Sequence, residues 1–176
     1  MLISNVRAAV SEGVTLVQIR EKSLASSQLF ELARHVVDVV ADKPVSVLVN
    51  DRWDIALASG AHGVHLRSDS MPARTVRAQV PDGFIIGVSV HSLAEREKFE
   101  GADFAMFGPV FSTPGKGQPA GLPALEEICA AVRPFPVIAV GGIGFENFKA
   151  VLAAGAAGFA AIRALDGSQR IESPHC

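Results

Sequence analysis

A short pattern that recurs four times along the chain limits the folds it can adopt. In each copy a helical pattern ends near a glycine, and an apolar run begins two or three residues later. Glycine readily adopts the left-handed conformation that ends many helices. Three further apolar runs, near residues 45–50, 84–89 and 136–141, are separated by helical patterns, and the motif Ser92–Glu95 predicts a capping box that opens one of the helices. Strands that alternate with helices predict a parallel sheet and a fold of the α/β class. The four glycines are Gly13, Gly60, Gly101 and Gly155.

The number of strands is one short of a closed barrel. The apolar runs predict seven strands, at about 14–20, 45–50, 63–66, 84–89, 104–108, 136–141 and 158–162. A (β/α)8 barrel of the TIM type has eight. Either the first strand of such a barrel is missing, or the sheet is open at that point. A polar tail follows over 166–176. A barrel without its first strand exposes two sheet edges, which predicts low stability or a homodimer formed through those edges.

Charge and hydropathy exclude several classes of partner. The 176 residues carry a formal net charge of −2, whereas a general nucleic-acid binder needs a basic face. No run of about 18 apolar residues occurs, so we expect no membrane span, and the first residues lack the pattern of a signal peptide. The two cysteines, Cys129 and Cys176, are far apart, which predicts reduced thiols in a cytoplasmic protein.

Polar and charged residues follow two neighbouring strands of the predicted sheet. Gln18, Arg20 and Lys22 alternate along the first, so their side chains should point to one side. Asn50 and Asp51 end the second strand. The carboxyl ends of parallel strands form one edge of the sheet, where α/β folds place their active sites. Cations at that edge predict an anionic ligand, and the carboxylate predicts a divalent cation beside it.

Other residues at strand ends are weaker candidates. His65, His91 and Asp69 lie where they can reach the same edge. The histidines lack the spacing of metal ligands, and we interpret His91 as a structural hydrogen-bonding residue. His62 precedes a strand, so we expect it at the opposite edge.

Two glycine-rich loops follow later strands. The loop over 113–117 carries Lys116 and is suited to closing over an anion, although it lacks the spacing of a P-loop. The pair Gly141–Gly142 precedes a predicted helix start, which is an arrangement that suits a phosphate. Arg163, at the end of the last strand, is a candidate charged partner for that phosphate. By itself, the loop over 113–117 is more typical of a mobile surface loop, and the pair Gly141–Gly142 is equally typical of a plain turn.

Six segments occur in the order and spacing of one known family. They are Gly13–Lys22, Val49–Arg52, Gly63–Leu66, Gly87–Ser92, Phe107–Thr113 and Val140–Ile143. Over roughly residues 2–165 the chain resembles the thiamine-phosphate synthase family, including its thiazole tautomerase branch. The resemblance implies a transferase of thiamine biosynthesis and one TIM-barrel domain over 1–165 that lacks the family's first strand and most of its last helix. Synthase members join a hydroxymethylpyrimidine diphosphate to a thiazole phosphate, release pyrophosphate and use Mg²⁺.

The resemblance also implies a role for individual residues, position by position. Gln18 and Ser89 match residues that hold the aminopyrimidine, and Thr113 and Gly142 match the thiazole-phosphate site. Asp51 matches a magnesium-binding carboxylate. The residues that match the clamp on the diphosphate are Arg20, Lys22, Asn50 and Lys116.

Several positions depart from the family's pattern and leave three functions open. Ser70 occupies the position of the second magnesium carboxylate, and Asp69, one residue earlier, is the candidate replacement. Gly115 and Arg163 stand where the family has a threonine and a serine, and Pro109 stands where the tautomerase branch has a histidine. We expect a synthase.

The alternatives keep the same fold. One is a metal-independent thiazole tautomerase-like enzyme with His91 as proton carrier. The other is a barrel that binds a thiazole phosphate without catalysis.

Overall fold

The computed structural model of the protein describes residues 2–161, in which helices and strands alternate. The helices are α1 (Leu2–Ser11), α2 (Ser26–Val40), α3 (Trp53–Ala58), α4 (Ala73–Arg77), α5 (Gly121–Ala131) and α6 (Phe148–Ala153). The strands are β1 (Leu16–Ile19), β2 (Ser46–Asn50), β3 (Gly63–Leu66), β4 (Ile85–Val90), β5 (Phe104–Phe107), β6 (Val137–Val140) and β7 (Gly158–Ala160). A 3₁₀ helix spans Leu93–Phe99.

The strands form one parallel sheet in which each strand pairs with the next along the chain, in the order β1 to β7. All seven predicted strands are confirmed, with boundaries that agree to within two residues. Leu16 on β1 and Ala160 on β7 belong to opposite edges of the sheet but pack on the same buried cluster. The sheet is therefore curled into part of a barrel, and the expected TIM-type α/β fold with missing elements is confirmed.

Side-chain alternation divides the core into two layers. Residues that point outward from the strands, such as Val47, Val49 and Val64, are fully buried in the layer against the helices. Their neighbours point into the barrel, where Leu48 packs with Phe104 and Met106 as a separate cluster. Because successive residues of a strand face opposite sides, a strand covered on both faces is apolar throughout.

The glycines that end the helices have the predicted backbone conformation. Gly13, Gly60, Gly101 and Gly155 all have φ between +74° and +92°. The strand that follows each of them begins three residues later. At each of the four turns, the same glycine conformation is therefore followed by a strand at the same distance of three residues.

One local prediction was wrong. The motif beginning at Ser92 predicts a helix with a capping box, yet the Ser92 side chain caps nothing and the segment is a 3₁₀ helix. Glu95 leaves the helical region, with φ −92° and ψ 21°. Its carboxylate accepts a hydrogen bond from the amide of His91, at 3.3 Å, rather than from Ser92.

The described residues contain no helix that has both the length and the apolar character needed to cross a membrane. β1 and β7 each pair with one strand only, so the sheet has two open edges in the described part of the chain. Arg163 and the predicted tail over 166–176 lie outside the described residues.

The closeness of β3 and β4 gives a first test. A Cβ atom on Gly63 would lie 2.1 Å from the carbonyl oxygen of Ile85, a distance that only backbone movement can relieve. Overpacking of this kind costs about 1–3 kcal/mol or more, so we expect Gly63→Ala to lower the free energy of unfolding by at least that amount. Urea unfolding followed by circular dichroism measures it.

Gly158→Ala is the matched control, because Gly158 is also a strand glycine and a Cβ atom there meets nothing within 4 Å. Its effect should stay within about 0.5 kcal/mol. Equal losses in the two variants would contradict this account of the β3–β4 packing.

Candidate functional site

Polar side chains from four neighbouring strands face the inside of the barrel near its carboxyl edge. Gln18 lies two residues beyond Leu16, and Asn50 lies two residues beyond Leu48, both of which point into the barrel. His65 on β3 and Ser89 on β4 contact each other from the same inner face. The period of two along a strand therefore brings together residues that are far apart in sequence.

The first pair joins β1 to β2. The side-chain amide of Gln18 donates a hydrogen bond from Nε2 to Oδ1 of Asn50, at 3.1 Å. This contact leaves the carbonyl oxygen of Gln18 as an acceptor and the Asn50 amide nitrogen as a donor. Two residues predicted to hold a substrate thus orient each other before any ligand binds.

The second pair joins β3 to β4. His65 is 6% exposed, and its Nε2 lies 3.2 Å from the hydroxyl oxygen of Ser89. Its Nδ1 is buried and has no hydrogen-bond partner among the described residues. Burial, with the positive charge of Arg20 as a second cause, lowers the pKa of His65 to about 4, and Asp51 opposes this shift. The ring is therefore neutral at physiological pH.

Asp51 is held in an unusual backbone conformation at the end of β2. Its φ is +66°, in the left-handed region, and its amide donates a hydrogen bond to the carbonyl oxygen of His65 at 2.9 Å. The hydroxyl of Ser70 donates a hydrogen bond to the Asp51 carboxylate. Aspartate tolerates this conformation better than most residues. The two hydrogen bonds therefore hold one carboxylate at the edge of the sheet.

The second predicted metal ligand, Asp69, has a different partner. Its carboxylate forms an ion pair with Arg67 at 2.7 Å, and both side chains are largely exposed. No cluster of three or more His, Cys, Asp or Glu side chains that could hold a metal occurs among residues 2–161. One carboxylate does not make an all-protein cage, but it fits a magnesium ion whose other ligands are phosphate oxygens and water.

Three cations predicted to bind the diphosphate lack acidic partners. Arg20, Lys22 and Lys116 are exposed, and within the described part of the chain their side chains make no ion pair. Arg52, in contrast, is bound to Asp54 at 2.6 Å. Arg20 and Lys22 follow the carboxyl end of β1, and Lys116 lies in the loop after β5. A cation without an acidic partner among the described residues can bind an anion.

The two glycine-rich loops pack against each other. The amide of Phe111 donates a hydrogen bond to the carbonyl oxygen of Gly141 at 3.0 Å. A Cβ atom on Gly142, which has φ +64°, would lie 2.8 Å from Cβ of Phe111 and from the carbonyl oxygen of Ser112. Only glycine therefore fits at Gly142, because the segment Phe111–Ser112 occupies the space that a side chain would need.

Thr113 and His91 contact the segment that follows β5, whereas His62 lies at the opposite edge of the sheet. Thr113 donates its hydroxyl proton to the carbonyl oxygen of Phe111 at 3.0 Å. His91 lies with Nδ1 2.7 Å from the carbonyl oxygen of Gly108, which agrees with a structural role for this histidine. His62, at the opposite edge, accepts the amide hydrogen of Val47 on Nδ1 at 3.0 Å.

A family model described as thiamine monophosphate synthase matches residues 1–165. The chain belongs to the thiamine-phosphate synthase family. The expected family and the expected class of enzyme, a transferase, are confirmed.

Individual members of the thiamine-phosphate synthase family agree with this assignment. A putative thiamine-phosphate synthase of Geobacter sulfurreducens is 44% identical over 169 residues, which are 93% of this chain and 79% of that protein. A thiamine-phosphate synthase of Methanoculleus marisnigri is 42% identical and covers 92% and 78%. The solved structure of a thiamine phosphate pyrophosphorylase from Pyrococcus furiosus superposes with a TM-score of 0.86 at 34% identity, over 95% of this chain and 82% of that chain.

The contacts of two residues, Asn147 and His65, were not predicted from the sequence and are shown by the structure. Asn147 accepts a hydrogen bond from the amide of Gly144 and donates one to the carbonyl oxygen of Gly142, both at 2.9 Å, so its side chain braces the loop. His65 was identified only as a strand-end residue. A histidine inside an otherwise apolar strand is a sequence signal for such a buried polar group.

The lowered pKa of His65 predicts how stability depends on pH. Above about pH 6.5, the ring is neutral in both the folded and the unfolded chain. As the pH falls from 6.5 towards the folded pKa of about 4, the unfolded chain takes up a proton and the folded chain does not. Stability is therefore lost over this window, by about 2 kcal/mol at about pH 5.

Urea unfolding at about pH 7 and about pH 5 tests this expectation. Other groups also titrate between these values, so the comparison is with His65→Gln, in which the loss should be smaller by about 2 kcal/mol. An identical pH dependence in wild type and His65→Gln would show that His65 does not titrate as described.

Proposed function

We propose that this protein joins a hydroxymethylpyrimidine diphosphate to a thiazole phosphate and releases pyrophosphate. The observation that carries the proposal is the position of three exposed cations and one carboxylate after the carboxyl ends of strands. Arg20 and Lys22 follow β1, Asp51 follows β2, Lys116 lies in the loop after β5, and none of the three cations has an ion-pair partner among residues 2–161. A diphosphate with a divalent cation has the charge distribution that such a set complements.

The reaction requires more charge stabilisation than proton transfer. The bond between the pyrimidine methylene carbon and the diphosphate oxygen breaks, and its electron pair leaves with the diphosphate. The lone pair of the thiazole nitrogen then forms a bond to that carbon, and no proton is removed. Arg20, Lys22 and Lys116 bind the leaving group and stabilise the negative charge that develops on it.

Asp51 is the residue that would hold magnesium. The ion, when bound, supplies further neutralisation of the diphosphate charge. Ser70 orients the Asp51 carboxylate by its hydrogen bond. Asp69 remains a candidate ligand only if it leaves Arg67, to which it is paired at 2.7 Å.

The neutral groups of the site are assigned to substrate binding. Gln18, Asn50 and Ser89 hold the pyrimidine part and the start of the diphosphate. Thr113 and the backbone at Gly142 hold the thiazole phosphate, since backbone amide groups can bind phosphate oxygens. Arg163 stays a proposed partner of that phosphate, from its position in the sequence.

Removal of one clamp cation should lower activity strongly. We expect Arg20→Ala to reduce kcat/KM for the pyrimidine diphosphate by about 100-fold or more, because a charge that binds the leaving group acts in the transition state. The assay mixes the two substrates with Mg²⁺ and measures thiamine phosphate.

Lys43→Ala is the control, since Lys43 is an exposed cation at the opposite end of β2 and pairs with Asp42 at 3.4 Å. It should keep wild-type activity. A folded wild-type protein that makes no thiamine phosphate would rule out the proposed reaction. Activity on a thiazole phosphate carboxylate that survives EDTA would favour the tautomerase instead.

The two acids should differ in their effect on metal binding. In the presence of pyrophosphate, we expect Asp51→Asn to weaken Mg²⁺ binding by about tenfold or more, and Asp69→Asn to change it by less than about twofold. Asparagine tolerates the backbone conformation of Asp51, so the change affects charge alone. Isothermal titration of Mg²⁺ into the protein with pyrophosphate measures both, and equal losses would assign Asp69 as a ligand.

The open edges of β1 and β7 lead us to propose a homodimer. An edge strand carries unpaired amide and carbonyl groups that can pair with a second chain. Sedimentation equilibrium should give twice the mass of one 18.5 kDa chain, and a monomer at all concentrations would contradict the proposal. A cytoplasmic location is also proposed, supported by the free thiol of the buried Cys129.

A further inference from the structure

We propose that His65 is a positioning residue that holds the Ser89 hydroxyl as a hydrogen-bond donor to the pyrimidine ring of the substrate. The inference rests on the proposed function, since it assigns Ser89 to that ring. Its starting point is the geometry of one contact, in which Nε2 of His65 lies 3.2 Å from the hydroxyl oxygen of Ser89.

The surroundings of His65 leave this contact as the main polar interaction of its ring. His65 pairs in register with Asn50 on one side and Gly87 on the other. Gly87 has no side chain, and the ring of Phe104 fills its place, since a Cβ atom there would lie 2.3 Å from Cζ of Phe104. The imidazole is 6% exposed, and no group within residues 2–161 forms a hydrogen bond with its Nδ1.

Burial favours one of the two neutral forms of the ring. With the proton on Nδ1, the site would bury an N–H group that donates to nothing, which is rare in folded proteins. With the proton on Nε2, the N–H group donates to the oxygen of Ser89, and only a lone pair on Nδ1 is left without a partner. The geometry therefore assigns the proton to Nε2.

The direction of that hydrogen bond decides what Ser89 can offer a ligand. Because its oxygen accepts the proton of His65, the hydroxyl hydrogen is free to donate. Gln18 uses an amide hydrogen on Asn50, so its carbonyl oxygen is free to accept. One donor and one acceptor on the inner face suit a heterocycle in which a ring nitrogen lies beside an amino group.

The first test reads the proton position directly, without substrate. Long-range ¹H–¹⁵N correlation spectra of the wild-type protein at mildly alkaline pH distinguish the two neutral forms of each histidine. The chain contains its own references: Nδ1 of His62 accepts an amide hydrogen, so its proton is on Nε2, and Nδ1 of His91 faces a carbonyl oxygen, so its proton is on Nδ1. Loss of signals in His62→Gln, His65→Gln and His91→Gln assigns the resonances.

We expect the His65 spectrum to show the pattern of His62. The pattern of His91 would overturn the inference, because Ser89 would then donate to the ring and have no proton for the substrate. The proton position is read on the wild-type chain. Where His65→Gln fails to fold, variants of the other four histidines assign the His65 signals by elimination.

The second test separates a positioning role from a purely structural one. Ser89→Ala and His65→Phe should each raise KM for the pyrimidine diphosphate by about five- to tenfold, the effect of one lost neutral hydrogen bond, with KM for the thiazole phosphate unchanged. The double variant should lose no more than Ser89→Ala alone, because His65 acts through Ser89. His65→Gln, whose amide can donate to Ser89, should recover part of the loss.

Ser59→Ala and His62→Gln are the controls. Ser59 is a buried serine whose hydroxyl donates to the carbonyl oxygen of Ala56 at 3.2 Å, away from the site. Both should leave the two KM values unchanged. Additive losses in the double variant, or equal changes in both KM values, overturn the inference. A wild-type chain that makes no thiamine phosphate overturns the proposed function instead, while the spectra still show where the His65 proton lies.

Discussion

Each strand of this protein pairs in parallel with the next strand along the chain, so all seven carboxyl ends meet at one edge of the sheet. That pairing is a backbone property and does not depend on the polar residues it brings together. Once β1 to β4 are in register, Gln18 lies within hydrogen-bond distance of Asn50, and His65 within reach of Ser89. The site follows from the sheet, and the substrate-binding groups need no separate scaffold.

The energy that holds this register comes from the layer between the sheet and the helices. Val47, Val49 and Val64 are fully buried there, and α2 adds Ala33 and Val36. Burial of one such aliphatic side chain contributes about 1.5–3 kcal/mol. The inner layer is smaller and ends in polar groups, so the protein keeps its apolar packing outside the barrel and its chemistry inside.

Periodic features of the sequence predict the fold well, because they arise from local geometry. The apolar runs and the turn glycines are set by period and by allowed φ, and both agree with the structure. The 3₁₀ helix at Leu93–Phe99 was not predicted, since Glu95 exchanges its expected partner for the amide of His91.

The partners of the site residues could be predicted only in part. Resemblance and strand-end position identified Asp51 and Asp69 as candidates, but nothing local to either residue indicates that the first bonds Ser70 and the second Arg67. Such choices depend on how two loops meet in space. The two hydrogen bonds by which Asn147 braces the loop could not be predicted for the same reason. Their partners, the amide of Gly144 and the carbonyl oxygen of Gly142, come within reach only when the loop is folded.

The backbone conformation of Asp51 also restricts which substitutions of this residue can be accepted during evolution. At φ +66°, a side chain branched at Cβ crowds the adjacent carbonyl group. Glycine and asparagine are the substitutions that such a conformation accepts most readily, and both remove the negative charge. Few substitutions of Asp51 are therefore neutral. Most of them damage the fold, and the few that the backbone accepts remove the carboxylate.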